Sequence, residues 1–183
     1  ETSIDVYNRT YLDLIKPESV LAWARAVTAN EMATNGAEWA NRFSEFASGT
    51  YIDQWMILDF TKFKPGAKPK EGFFTVLEEM PGRIHWEDMT NHLIERSYWA
   101  SYNNPYFTDI RDMTGQTALC VKNSLECYET DPRAKIFHKL QGNIECIADF
   151  RVVMQYNHWQ TDTLSMNDSC RAIACRADLE EDL

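Results

Sequence analysis

Apolar residues follow three regimes along the chain. They recur at helical spacing from Pro17 to Ser48, bunch into strand-length runs from Thr50 to Trp86, and return to helical spacing after Pro105. In the first regime, Pro17 suits the opening position of a helix. Val20, Leu21, Ala24 and Val27 then share one face, with Trp23 beside them, and Asn35-Gly36 stops the helix. A second helix is predicted from Ala37 to about Ser48-Gly49, with Trp39, Ala40, Phe43 and Phe46 turned inward. These aromatic stripes read as core.

Thr50 to Phe60 predicts a strand. Its Trp55-Met56-Ile57-Leu58 run is apolar on both faces, which marks a central strand covered on both sides. A Lys/Pro/Gly loop follows from Lys62 to Glu71, then a strand from Phe73 to Met80. Pro81-Gly82 turns the chain, and Arg83 to Trp86 continues as a hairpin. Thr90 to Arg96 reads as a short helix, and Tyr98 to Tyr102 as extended.

In the third regime, Pro105 to Met113 reads as a helix stopped by Thr114-Gly115. Asp131-Pro132 opens another, with an acidic cap and an apolar face of Ile136, Phe137 and Leu140. Asn143 is expected to cap a helix through about Tyr156, carrying Ile144, Ile147, Ala148 and Met154 inward. Gln160 to Leu183 is polar and loop-like, ending in Glu180-Glu181-Asp182. Helices, then strands, then helices around a covered strand give an α+β fold with layers outside a sheet. No repeat or domain boundary appears, so residues 1–183 read as part of one domain.

Composition narrows the setting. The chain is 44% hydrophobic and 13% aromatic, enough for a packed core. Its net charge of −10 argues against a nucleic-acid backbone or an anionic membrane surface as partner, and suits an acidic compartment. No apolar run approaches the ~18 residues of a membrane span. The first residues, Glu1-Thr2-Ser3-Ile4-Asp5, lack the pattern of a signal peptide.

Cys170 and Cys175 stand close together in a polar stretch, which favours a small disulfide loop in an oxidising compartment. Cys120 and Cys127 could close a second, and Cys146 reads as a buried free thiol on an apolar helical face. Asn8-Arg9-Thr10 and Asn167-Asp168-Ser169 are glycosylation sequons, at Asn8 and Asn167. Together with the cysteines they point to the secretory pathway. The cysteines lack paired C-x2-C spacing and the four histidines are scattered, so no metal site is expected. The common nucleophile-elbow, phosphate-loop and dinucleotide motifs are absent, and no cofactor is called for.

The densest chemistry lies in Tyr98-Trp99-Ala100-Ser101-Tyr102-Asn103-Asn104-Pro105-Tyr106-Phe107. Pro105 pushes Asn104 out of the helical region, so the chain turns at the two amides. On spacing alone they read as an Asx-type turn that satisfies itself. A fixed amide donor in an aromatic wall is also what an oxyanion needs.

Read with Ala47-Ser48-Gly49-Thr50-Tyr51-Ile52-Asp53-Gln54-Trp55-Met56-Ile57, Val76-Leu77-Glu78-Glu79-Met80-Pro81-Gly82 and Asp131-Pro132-Arg133-Ala134-Lys135-Ile136-Phe137, this stretch resembles the phospholipase B-like proteins. These are lysosomal or secreted glycoproteins with an N-terminal-nucleophile hydrolase fold. The resemblance runs in order from about Tyr7 to Leu179. It implies an αββα sandwich, incomplete in this chain alone, and hydrolysis of amide or acyl-ester bonds, phospholipid among them. It implies Asn103 as oxyanion donor and Arg133 as a pocket cation, with Asp53, Gln54, Trp99 and Tyr102 on the substrate side. From the sequence alone Arg133 is a surface residue on a first helical turn.

The family's nucleophile is a processed N-terminal Cys, whereas Glu1 stands here, so the resemblance implies an interior piece of a precursor. The nucleophile would lie on a second chain of that precursor, and the assembled protein could form a homodimer. One departure stands out. The family usually reads Gly-Thr-Tyr-Asn-Asn-Gln where this chain has Gly49-Thr50-Tyr51-Ile52-Asp53-Gln54. An ionised Asp53 would oppose an oxyanion, which supports the alternative of an inactive glycoprotein that keeps the fold for binding. A protonated Asp53 could still donate.

Overall fold

The computed structural model describes residues 1–179; the acidic segment Glu180-Glu181-Asp182 lies outside the described residues. Packing divides the chain into two compact units, Glu1–Thr117 and a second that begins at Ala118. The fold is α+β.

The first unit is built on a four-stranded antiparallel sheet in the order β1 (Thr2–Ser3), β2 (Asp53–Leu58), β3 (Phe74–Met80), β4 (Arg83–Asp88). Pro81-Gly82 makes the β3–β4 hairpin, and Gly82 takes the left-handed conformation (φ 78°) that this turn requires. β3 is buried along its whole length, while Trp55 to Ile57 of β2 are half-buried and Leu58 is exposed. The most covered strand is therefore β3, not the more apolar β2 that the sequence singled out. β2 is interior to the sheet as expected, between β1 and β3, but β1 pairs only with its Asp53 and Gln54 and the rest of the strand is incompletely covered.

Alternation along β3 splits its side chains between two layers. Phe74, Val76 and Met80 pack with Met89, Phe107 and Ile110, beside helices α3 (Thr90–Arg96) and α4 (Thr108–Thr114). Leu77 packs on the other face with Ala22, Ala29, Trp39, Ala40 and Phe43 of helices α1 (Ala22–Met32) and α2 (Gly36–Ser44). Trp39 stacks on Phe43 at 4.8 Å, and both rings meet Trp55.

α1 presents a different face from the one its apolar pattern suggests. Ala22, Arg25 and Ala29 are inside, whereas Val20, Leu21, Trp23 and Val27 are exposed. Arg25 makes the choice. Its guanidinium donates to both oxygens of Glu79 at 2.7 and 2.9 Å, to the Phe43 carbonyl at 2.6 Å and to the Val20 carbonyl at 3.0 Å. The flanking alanines let the helix approach closely. Asn35 does not end α1 but caps α2, accepting from the Glu38 N–H at 2.9 Å. Phe46 lies beyond α2 and is exposed, not part of its inward stripe.

Helix α5 (Gln116–Lys122) leads into the second unit, whose principal helices are α6 (Pro132–Leu140) and α7 (Ile147–Met154). Asp131 caps α6 by accepting from the Arg133 N–H at 2.7 Å, as the Asp-Pro signature predicts, and Ile136 is fully buried. Asp162 gathers Lys139 at 3.1 Å and the Tyr156 hydroxyl at 2.6 Å. Disulfides join Cys120 to Cys127 and Cys170 to Cys175. Cys146 is free but exposed, not buried, because it is the N-cap of α7 rather than part of its face. Asn143 closes a 3-10 turn instead, and Ile147 and Met154 are exposed while Val153 is inside. The sequence misplaced this cap by three residues, and with it the helical face.

Candidate functional site

β2, β3 and β4 place Gln54, Glu78 and His85 directly opposite one another across the sheet. The three lie in a row on one face, amid the apolar layer of Phe74, Val76 and Met80. Glu78 is fully buried at the centre of that row. Its Oε1 accepts from Gln54 Nε2 at 2.6 Å and from the Tyr106 N–H at 2.6 Å, and its Oε2 from the Phe107 N–H at 3.0 Å. Burial pushes the Glu78 carboxyl up to about 7, against the pull of these donors.

The network continues through Gln54 Oε1, which accepts from Trp99 Nε1 at 2.9 Å. Trp99 meets Phe74 edge-on at 5.4 Å and Tyr106 at 4.9 Å, and His92 stands edge-on to both Trp99 and Tyr106. His85 stacks on Phe107 at 4.0 Å, with Nδ1 2.6 Å from Asp109 and Nε2 3.0 Å from Glu87. Burial tends to raise the Asp109 carboxyl, but hydrogen bonds to His85 and Arg83 outweigh it and hold Asp109 below its ordinary range. An aromatic, hydrogen-bonded wall thus fixes the segment from Trp99 to Phe107.

The two amides bend the chain in the middle of that segment. Asn103 takes the left-handed conformation (φ 66°), which Asn tolerates better than most residues. Its Nδ2 donates to the Ser3 carbonyl at 2.7 Å and to Ser3 Oγ at 3.1 Å, and its carbonyl accepts from the Asp5 N–H at 3.2 Å. The turn therefore holds the N-terminal segment through β1. Asn103 is half-buried, whereas Tyr102 and Asn104 are buried.

Of the residues expected at a site, Gln54 and Trp99 come together directly, and Tyr102 and Asn103 belong to the same stretch as Trp99. Asp53 does not join them: as the strand neighbour of Gln54 it points to the opposite face. It is fully buried, and among the described residues neither of its carboxylate oxygens has a hydrogen-bond partner. Burial first, then the nearby Glu1 carboxylate, pushes it up to about 7. Arg133 lies in the second unit, half-buried in the first turn of α6, with Nε 3.7 Å from Asp131 Oδ1. Asn8 caps a 3-10 turn, accepting from Thr10 Oγ1 at 2.7 Å, and Asn167 is exposed.

Sequence reasoning passed over Glu78, Glu79 and His85. The signal for the first two was present: adjacent acids inside an otherwise apolar strand place one buried carboxylate in each layer. Among the described residues no cluster of His, Cys, Asp and Glu could hold a metal ion.

The four-stranded antiparallel sheet with its helices defines an α+β domain, and comparison with known proteins defines the family. The Phospholipase B family matches residues 1–182, and the chain belongs to it. It is 42% identical to Phospholipase B-like protein B of Dictyostelium discoideum over 98% of this chain and 31% of that protein. It is 40% identical to Phospholipase B-like 1 of Rattus norvegicus over 99% of this chain and 33% of that protein. Phospholipase B of Crotalus adamanteus is 36% identical over 98% of this chain and 32% of its own length. The chain thus spans about a third of the length of these curated relatives.

Proposed function

We propose that this chain supplies one wall of a phospholipase B-like hydrolase that cleaves amide or acyl-ester bonds, phospholipid among them. In this reading both units contribute to one αββα hydrolase domain of N-terminal-nucleophile type. The nucleophilic Cys lies elsewhere in the family-length polypeptide, on a second chain once the precursor is processed. Its α-amine takes the thiol proton, the sulfur attacks the substrate carbonyl, and Asn103 stabilises the resulting oxyanion. Gln54, Trp99 and Tyr102 shape the wall beside it.

One observation carries this reading: the fully buried Glu78 holds the backbone N–H groups of Tyr106 and Phe107, just after the Asn103 turn. A buried carboxylate is costly unless it is hydrogen-bonded, and here the bonds that offset the cost fix a turn that bears an amide. The longer Asn103 contact, 3.1 Å to Ser3 Oγ, is the one that an oxyanion would replace. The disulfides of the second unit, its exposed Asn167 and the acid-tolerant carboxyls on β2 and β3 suit a lysosomal or secreted protein.

The test is turnover of an amide or acyl-ester reporter by the assembled protein. Asn103→Ala should lower the rate roughly a hundred- to a thousand-fold, about 2.7–4 kcal/mol in the barrier. Ser3→Ala removes the competing hydroxyl and leaves the amide in place, so its rate should stay close to the parent's. Equal losses in the two variants, or none in Asn103→Ala, would assign the amide to holding β1.

A second reading, an inactive glycoprotein keeping the fold for binding, is favoured by that same engagement of Asn103 with Ser3. N-terminal sequencing of every co-purifying polypeptide separates the two: a chain beginning with Cys supports the enzyme.

A further inference from the structure

Helix α1 is apolar on two faces, and the sheet covers only one. Its inner face, Ala22, Arg25 and Ala29, is buried against Phe43 and Glu79. On the outer face, Trp23 is 70% exposed and Val27, one turn on, is 55% exposed. Val20 precedes Trp23 by three positions and continues the stripe. The start of the stripe is tied down, because the Val20 N–H donates to the Phe46 carbonyl at 2.9 Å. Val20, Trp23 and Val27 thus form one apolar stripe on the side of α1 opposite Ala22, Arg25 and Ala29.

A water-facing helix carries polar residues on its outer face, and one that is apolar on opposite faces belongs between layers. The surface is also well defined. Arg25 fixes the rotation of α1 through four hydrogen bonds, so the stripe cannot turn inward. The relatives supply the missing material, since this chain accounts for only 31–33% of their length.

We propose that the outer face of α1 is the docking surface for the part of the family-length polypeptide outside residues 1–183. The occupant is an apolar segment of that same polypeptide, which adds a layer beyond α1 and α2. This rests on the reading that the chain works as part of a longer protein, and it names the surface that receives the rest. It does not depend on the nucleophile or on activity.

The experiment uses the wild-type family-length protein. Hydroxyl-radical footprinting compares Trp23 with Trp39, which is buried in the same unit. Trp23 should lose its reactivity and oxidise as slowly as Trp39. Oxidation at the rate of a solvent-exposed tryptophan would overturn the proposal. A second arm replaces Trp23 with photoreactive p-benzoylphenylalanine and maps the adduct. A cross-link within one polypeptide, to a peptide outside residues 1–183, is the expected result. A cross-link to residues 118–183, or one between two copies that disappears on dilution, would overturn it. Neither arm reads turnover. A catalytically dead protein with a protected Trp23 would retire the hydrolase and keep the docking surface.

Discussion

Glu78 shows how one side chain can organise a region. It accepts from Gln54, Tyr106 and Phe107 inside an apolar layer, so removing it strands those donors away from water. Each buried donor left without an acceptor costs about 1–3 kcal/mol. Glu78→Ala should therefore lower stability by several such increments, seen as an early thermal transition. Glu78→Gln keeps one oxygen: placed at Oε1 it still serves Gln54 and the Tyr106 N–H, but its NH2 then faces the Phe107 N–H, so its stability should fall between those of the parent and Glu78→Ala. If Glu78→Ala melted like the parent, the carboxylate would not be holding the turn. The sequence displayed Glu78 plainly as an acid within a strand. It did not display the partners, because Tyr106 and Phe107 lie 28 and 29 positions further on. Asp53 was legible as a departure from the family pattern, but its facing was not, since that depends on the register with β3.

Among the elements, β3 shows most clearly how neighbours override local pattern. It carries two adjacent acids, yet it is buried throughout, because α1 and α2 cover one face and α3 and α4 the other. The contact with α2 is close at its first residue: a Cβ added at Gly36 would lie 2.2 Å from Thr75 Oγ1 and 2.9 Å from Thr75 Cβ. Gly36→Ala should cost about 1–3 kcal/mol through this overlap, more than the ~1 kcal/mol that Ala gains over Gly in a helix. Adding Thr75→Ala removes the obstructing oxygen and should restore part of the loss, a coupling that thermal melts of the single and double variants would read. Purely additive losses would mean that α2 shifts away instead. The existence of β3, β4, α2, α3 and α6 was evident from turns and caps close to each element. The α1 face was misjudged because Arg25 looks like a solvent residue until Glu79 is brought beside it. The α7 start was misjudged because Asn143 is a better cap by residue type than Cys146, while Asp149 supplies the reciprocal hydrogen bond at 3.0 Å.

For the molecule as a whole, the buried acids set the response to pH. Burial raises Asp53 and Glu78 to about 7, and it also raises Glu79, opposed by Arg25, and Asp131. Folded forms with raised carboxyl values hold protons that the unfolded chain has released. For Asp53 and Glu78 that contribution is full below the ordinary values, 3.8 for Asp and 4.5 for Glu, and is lost as pH rises through about 7. Asp109, Asp149 and Asp162 are lowered by their hydrogen-bond partners, and their contribution is lost only at the acid end. The melting temperature should therefore rise as pH falls from about 8 to about 5, then decline below about 4. Calorimetry across that range checks it, and a maximum at or above neutrality would contradict the buried-acid account. No helix among the described residues is long and apolar enough to cross a membrane, in keeping with the absence of any such run in the sequence. The sequence alone determined the α+β class, the family, most helices and strands, and the pairing of Cys170 with Cys175, while it left the pairing of Cys120 open among its neighbours. Each of these depends on residues a few positions apart or on an ordered series of motifs. Only the tertiary structure decided which face of α1 is buried, that Gln54 and Asp53 serve opposite layers, and that Glu78 holds the Asn103 turn. Those outcomes depend on strand register and on desolvated partners brought from distant parts of the chain, where local periodicity carries no information.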